Sequence, residues 1–277
     1  IFETLQKIAE DDFFTAVEIS WIKDNKIRST VKNLLKISYL TVSYGAHPRQ
    51  LINKLDINSF NERERKKAVK ELKSEIDQAY EIGAKKFVFL SGKDPGKKWR
   101  EKARKLLVSS IKEMCNYAKN KGNLMLVLES FDREIDKKCL IGPASEARIV
   151  AENVRKEFDN FGLLVDLSHI PLLNESPAQA IIPIKEYLVQ AHIGNCILSD
   201  KKHSSYGDKH PWFGIEEGRN NVEEVREFLK VLLDIGFLNL KNPPIVSFEI
   251  KPQSGEESSE VVIANAKRVL REAWSKL

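Results

Sequence analysis

Apolar residues along this chain follow two alternating rhythms. Short runs such as Lys86-Phe87-Val88-Phe89-Leu90 and Leu163-Leu164-Val165 are apolar almost throughout, the pattern of strands buried on both faces. Between them, apolar positions recur every three or four residues. Ile27, Val31, Leu34 and Leu35 form such a stripe over 25–37, and Ala68, Val69, Leu72, Ile76 and Ala79 over 61–83. Asn61 suits an N-cap and Gly83 a stop, so this second segment is the clearest predicted helix. Read in order, strands are predicted at 13–19, 39–44, 86–90, 124–129, 163–166, 187–192 and 245–250. Helices are predicted as a tail over 1–10, then at 25–37, 61–83, 99–120, 145–157, 176–186, 222–235 and 260–277. The longest loop runs from about 193 to 220, a length that in a compact domain signals function or disorder.

Strand and helix in strict alternation predict a parallel sheet covered on both faces. Seven strands fall one short of an eightfold β/α barrel, and the first is expected before Ile1, where a helix tail stands without its strand. A doubly wound open sheet fits less well, because no Gly-rich fingerprint follows the early strands. No linker of biased composition interrupts the chain, so one domain over 1–277 is expected.

Composition narrows the setting. Three cysteines, Cys115, Cys139 and Cys196, are too widely spaced for a disulfide framework or a zinc knuckle. With no run of about 18 apolar residues and no signal-peptide pattern, the expectation is a cytoplasmic protein without a membrane partner. The 45 basic and 40 acidic residues read first as solvated helix faces, leaving only a slight bias of +5 toward anionic ligands.

Four predicted strands finish in a side chain able to hold a metal: Glu129, Asp166, His192 and Glu249. In a barrel, chemistry gathers where strands end and loops begin. Carboxylates crowded there repel one another unless a cation sits among them. Carboxylate oxygen mixed with one imidazole suits one divalent ion, and manganese, cobalt, magnesium and zinc all fit. His169, three residues past Asp166, is a further ligand or a donor to substrate.

The order of a strand-end Glu, Asp-x-x-His, a strand-end His and a last Glu resembles the xylose isomerase-like TIM barrels, sugar and sugar-phosphate isomerases and epimerases with endonuclease IV as a relative. The resemblance spans essentially the whole chain and implies a (β/α)8 TIM barrel whose metal ligands are Glu129, Asp166, His192 and Glu249. It further implies a metal-dependent isomerase or epimerase for a ketose, a ketose phosphate or a related polyol. Glu129 and Glu249 would be the catalytic proton-transfer pair on opposite faces of a metal-bound enediolate, and His169 would lie near a substrate hydroxyl. Epimerisation needs a base on one face and an acid on the other, which two carboxylates supply.

Further substrate-binding candidates are Asp208, His210, Lys251 and His47. Lys251 follows Glu249 by two, which strand alternation would place on the same side. Beside these stand bland readings: a turn pair in a mobile loop for Asp208 and His210, and a surface turn for His47 before Pro48. Arg133 and Lys138, in the loop after Glu129, are candidates to bind a substrate phosphate or carboxylate, but read first as an exposed ion pair with Asp132 or Asp136. Trp212-Phe213 is read as a lid or a pin for the long loop. Asp208-Lys209-His210 also resembles the Asp-x-His pair of endonuclease IV and, with His169, would hold a second ion. The strand that ends Leu90-Ser91-Gly92 lacks that family's histidine, and charge spread over helices makes no surface for tracking phosphates, so no nucleic-acid partner is expected. A dehydratase or lyase on a sugar-like or inosose substrate, an endonuclease IV-like phosphodiesterase and a non-catalytic sugar binder remain alternatives. The expected partner is a small sugar or sugar phosphate, with a homo-oligomer left open.

Overall fold

The computed structural model describes residues 1–277. Each predicted strand forms: β1 (Ala16–Ile19), β2 (Thr41–Gly45), β3 (Lys86–Leu90), β4 (Met125–Glu129), β5 (Phe161–Asp166), β6 (Leu188–Gly194) and β7 (Ile245–Glu249). They lie in one sheet in chain order, and the pairs β1–β2, β2–β3, β5–β6 and β6–β7 are parallel. That order follows when each strand is joined to the next by a helix packed on the sheet.

The helices are α1 (Phe2–Glu10), α2 (Asn25–Ser38), α3 (His47–Ile52), α4 (Glu62–Glu81), α5 (Arg100–Lys119), α6 (Ala144–Arg155), α7 (His169–Leu172), α8 (Pro177–Ile181), α9 (Val222–Asp234) and α10 (Ser259–Ser275). The predicted stripe of α4 is its buried face, and the Asn61 side chain accepts from the amides of Arg63 and Glu64 as an N-cap does. Leu72 is fully buried there, which stabilises the fold by roughly 1.5–3 kcal/mol. Two helices were not anticipated. α3 begins at His47 with Pro48 in its first turn, a position that proline tolerates, so the expected surface turn is a helix start. α7 is a single turn beginning at His169.

The chain folds into two compact units. The first holds residues 1–128 and 150–162, and the second residues 129–149 and 163–277. The core of the first is built from β2, β3 and the faces of α2, α4 and α5, including Val31, Tyr44, Leu72, Phe87 and Leu107. The second buries Leu163, Leu164, Ala191, Ile193, Phe228 and Ala266. All three cysteines are buried and free. No helix is long and apolar enough to cross a membrane.

Candidate metal and substrate site

All four strand-end residues belong to the second unit, and the register explains why they meet. Asp166 on β5 pairs with His192 on β6, and Gly194, two residues on, pairs with Glu249 on β7. One ligand atom each from Glu129, Asp166, His192 and Glu249 lies within 4.8 Å of the others. Gly194 has to be small: a Cβ there would stand 2.8 Å from the Glu249 carbonyl oxygen and 3.1 Å from His210 Nδ1.

Each side chain is held by a local device. Asp166 Oδ1 accepts from the Ser168 amide at 2.6 Å, which fixes the turn after β5 and leaves Oδ2 buried without a hydrogen-bond partner. His192 Nδ1 and Glu249 Oε2 share a hydrogen bond of 2.7 Å, while the Gln190 amide meets His192 Nε2 at 3.1 Å. Glu129 Oε1 lies 3.8 Å from His192 Nδ1 and 3.4 Å from His169 Nδ1. Glu249 is the most accessible of the four, its side chain 39% exposed.

A second group adjoins the first. Asp166, His169 and His210 also offer ligand atoms within 4.8 Å of one another. His169 Nδ1 donates to the Ser130 carbonyl at 2.8 Å, so its Nε2 faces Asp208 Oδ1 at 3.1 Å. His210 Nε2 reaches the same oxygen at 2.7 Å, and its buried Nδ1 has no hydrogen-bond partner. Asp208 and His210 are thus a buried, charge-paired couple and not merely a turn pair of the long loop. His210 takes a left-handed conformation at φ 50°, and its carbonyl accepts from the Lys251 amide.

Electrostatics follow from this crowding. Burial raises the Asp166 carboxyl to about 6, the nearby Glu249 charge adding to it while the imidazoles oppose. Burial alone would lower His169 and His210, but neighbouring carboxylates outweigh it: Asp208 chiefly holds His169 well above its ordinary value, and Glu249 followed by Asp208 raises His210 to about 9. Asp208 and Glu249 are held well below the usual carboxylate range despite desolvation, because imidazoles flank both.

Other expectations need correction. β7 ends at Glu249, so strand alternation does not carry Lys251 to the same side. Its side chain is exposed and its contribution here is the backbone amide. Asp132 pairs with no cation of the loop: it accepts the amides of Ile135, Asp136 and Lys137 at 2.6–2.7 Å. Arg133 donates to the Leu140 carbonyl, and Lys138 is exposed. The lysine that reaches the site is Lys137, with Nζ 3.1 Å from Asp208 Oδ2, and the sequence reading missed it. Gln190 was missed as well, although a second polar residue two before His192 on a buried strand was a usable signal. Trp212 donates to Glu257 and Phe213 is buried, so the pair pins the long loop. His47 stands half-buried at the start of α3 in the first unit.

A chain-ordered β/α sheet whose acidic and imidazole groups collect at the strand ends defines the β/α barrels that carry chemistry at that rim. The chain belongs to the xylose isomerase-like TIM barrel family, whose profile matches residues 6–273. A D-tagatose 3-epimerase-like protein is similar in structure, with a TM-score of 0.74 at 20% identity over 99% of this chain and 93% of that one. D-psicose 3-epimerase from Clostridium cellulolyticum H10, solved with D-tagatose, has a TM-score of 0.71 at 17% identity, covering 99% and 92%. The IOLI protein with a binding zinc atom has a TM-score of 0.71 at 17% identity, covering 99% and 93%. A search of curated proteins returns no match.

Proposed function

We propose that this protein is a metal-dependent sugar isomerase or epimerase acting on a ketose, a ketose phosphate or a related polyol. The observation that carries the reading is the convergence of Glu129, Asp166, His192 and Glu249, with Asp166 Oδ2 buried and lacking a hydrogen-bond partner. Three carboxylates and one imidazole at this spacing suit one divalent ion, whether manganese, cobalt, magnesium or zinc. When bound, such an ion supplies Lewis-acid polarisation of a substrate carbonyl. The names of similar structures, among them a D-psicose 3-epimerase and a zinc-binding protein, support a sugar substrate and a metal.

In this reading Glu129 and Glu249 are the proton-transfer pair, one removing the proton beside the carbonyl and the other delivering a proton to the opposite face. His169, Asp208 and His210 bind substrate hydroxyls, with Lys137 paired to Asp208 Oδ2. The test is incubation with manganese and a panel of ketoses and ketose phosphates in deuterated water. Deuterium should enter at carbon, and Glu249→Gln should abolish its entry while leaving the folded state intact; exchange that survives removes the acid–base assignment.

One observation supports a second reading. The adjoining group of Asp166, His169 and His210, joined by Asp208, suits a second ion and with it the hydrolysis of a phosphodiester. Two zinc equivalents per chain, with cleavage of bis(p-nitrophenyl) phosphate and no carbon-bound deuterium, would favour it over the isomerase. Release of water from the sugar would instead favour a dehydratase.

A further inference from the structure

The positive charge of this chain is not spread over its helices. Residues 59–73, which open α4, hold six Lys and Arg against three Asp and Glu, and residues 93–105, which lead into α5, hold seven against two. These two stretches carry a formal +8 in a chain whose total is +5, so everything else is net −3. They also lie together. α4 and α5 run side by side in the same direction: Lys73 reaches Glu113 at 2.7 Å, and the Tyr117 hydroxyl donates to Asp77 at 2.9 Å.

At the start of the pair two aromatic rings meet in the open. Phe60 and Trp99 are 44% and 46% exposed, with centroids 6.0 Å apart in an edge-to-face arrangement. Lys102 Nζ lies 5.1 Å over the Phe60 ring and Lys98 Nζ 5.1 Å over the Trp99 ring. Four of the five acidic residues in these stretches are engaged by cations, Glu62 by Lys66, Glu101 by Lys105, Asp94 by Arg100 and Glu71 by Arg49, and the fifth, Glu64, accepts from the Ser59 hydroxyl. Arg63, Lys67, Lys93 and Lys97 stay exposed.

A solvated helix face accounts for the charges but not for two exposed rings set among them. A lipid surface would call for a deeper apolar face than two rings beneath lysines. Rings that can stack, interleaved with cations, match a polymer that alternates phosphates with flat bases. We propose that this surface binds single-stranded nucleic acid, with phosphates on Arg63, Lys67, Lys93 and Lys97 and bases against Phe60 and Trp99. No residue of the metal site takes part, so this inference and the isomerase reading stand or fall separately.

The test uses the full chain and a fluorescein-labelled oligothymidylate followed by anisotropy. Four phosphate contacts predict binding about fifty-fold weaker in about 200 mM than in about 50 mM salt. Trp99→Ala should weaken binding about tenfold through lost stacking, and Lys93→Ala with Lys97→Ala should flatten the salt dependence. Thermal unfolding of each variant reports that these exposed changes leave the fold in place. The proposal is overturned by no anisotropy change at the lower salt, by binding indifferent to Trp99→Ala, or by capture on phosphatidylserine vesicles without oligonucleotide binding.

Discussion

Each unit of this molecule buries a polar cluster, and the two solve the problem of buried charge differently. In the first, the Tyr44 hydroxyl donates to Glu75 at 3.2 Å, and Arg49 lies 3.9 Å from the same carboxyl while pairing with Glu71 and stacking over Trp21. Gln78 closes on the amide and carbonyl of Ile22, and Gln50 on those of Leu90. In the second, four carboxylates, Glu129, Asp166, Asp208 and Glu249, crowd with three imidazoles, and buried atoms of Asp166 and His210 lack hydrogen-bond partners. A lone buried acid can avoid its desolvation cost by staying protonated; four acids in one place cannot all do so at neutral pH. The first cluster also leaves Glu75 Oε1 and Arg49 Nη1 without hydrogen-bond partners, but it holds a single deeply buried acid beside one guanidinium. The second gathers four acids and is arranged for a cation the chain does not supply.

The strongest way to break that contrast is to remove one acid from the second cluster. Wild-type protein should gain about 4 kcal/mol from manganese or zinc at a thousandfold excess over the dissociation constant. For a chain of this size that is a rise in Tm of roughly 10 °C. Asp166→Asn relieves like-charge crowding, so the metal-free protein should melt no lower than wild type while the metal-induced rise disappears. A variant that keeps the rise would show that the four residues are not the ion's ligands.

Glu75→Gln sharpens the other side. Burial raises the Glu75 carboxyl from 4.5 to about 7, partly opposed by Arg49 and by the Tyr44 hydrogen bond. The folded state then holds a proton between those values that the unfolded state has lost. Stability should fall as pH rises from 4.5 to about 7 and level off above, a loss of about 3 kcal/mol at about 1.4 kcal/mol per pH decade. Glutamine keeps an acceptor for Tyr44 but cannot ionise. Denaturant unfolding of the variant should lose this slope and give a more stable protein above pH 7; an unchanged slope would mean that another group titrates.

The contrast also separates what could be read in the sequence from what could not. Glu129, Asp166, His192 and Glu249 were legible because each interrupts or ends an apolar run, where strand register then does the assembling. Helices α3 and α7 were not, since six and four residues show no apolar period, and Pro48 reads as a turn until its place in a first helical turn is seen. Lys137 was hidden among Arg133 and Lys138: only the winding of the loop around the Asp132 carboxylate decides which cation turns toward Asp208. Charge clustering escaped notice because the two basic stretches are about thirty residues apart in sequence and meet only when α4 and α5 align.

The smallest effect concerns a residue that would never touch the ion. His192 presents Nδ1 to Glu249 and Nε2 to the Gln190 amide. If Nδ1 is the ligand, its lone pair must be free, so the ring proton belongs on Nε2 and needs an acceptor. Gln190 supplies one by turning its amide over to present Oε1, the kind of support that fixes a ligating imidazole's tautomer. Gln190→Leu keeps the volume and loses the acceptor, so metal affinity should drop about ten- to a hundredfold. Gln190→Glu, which only accepts, should restore binding. The first unit offers the control: Gln78→Leu, cut from the contacts with Ile22, should lower stability while leaving metal affinity unchanged. Titration calorimetry on both leucine variants separates a glutamine that serves a ligand from one that serves the chain, and equal affinities would erase the difference between the clusters.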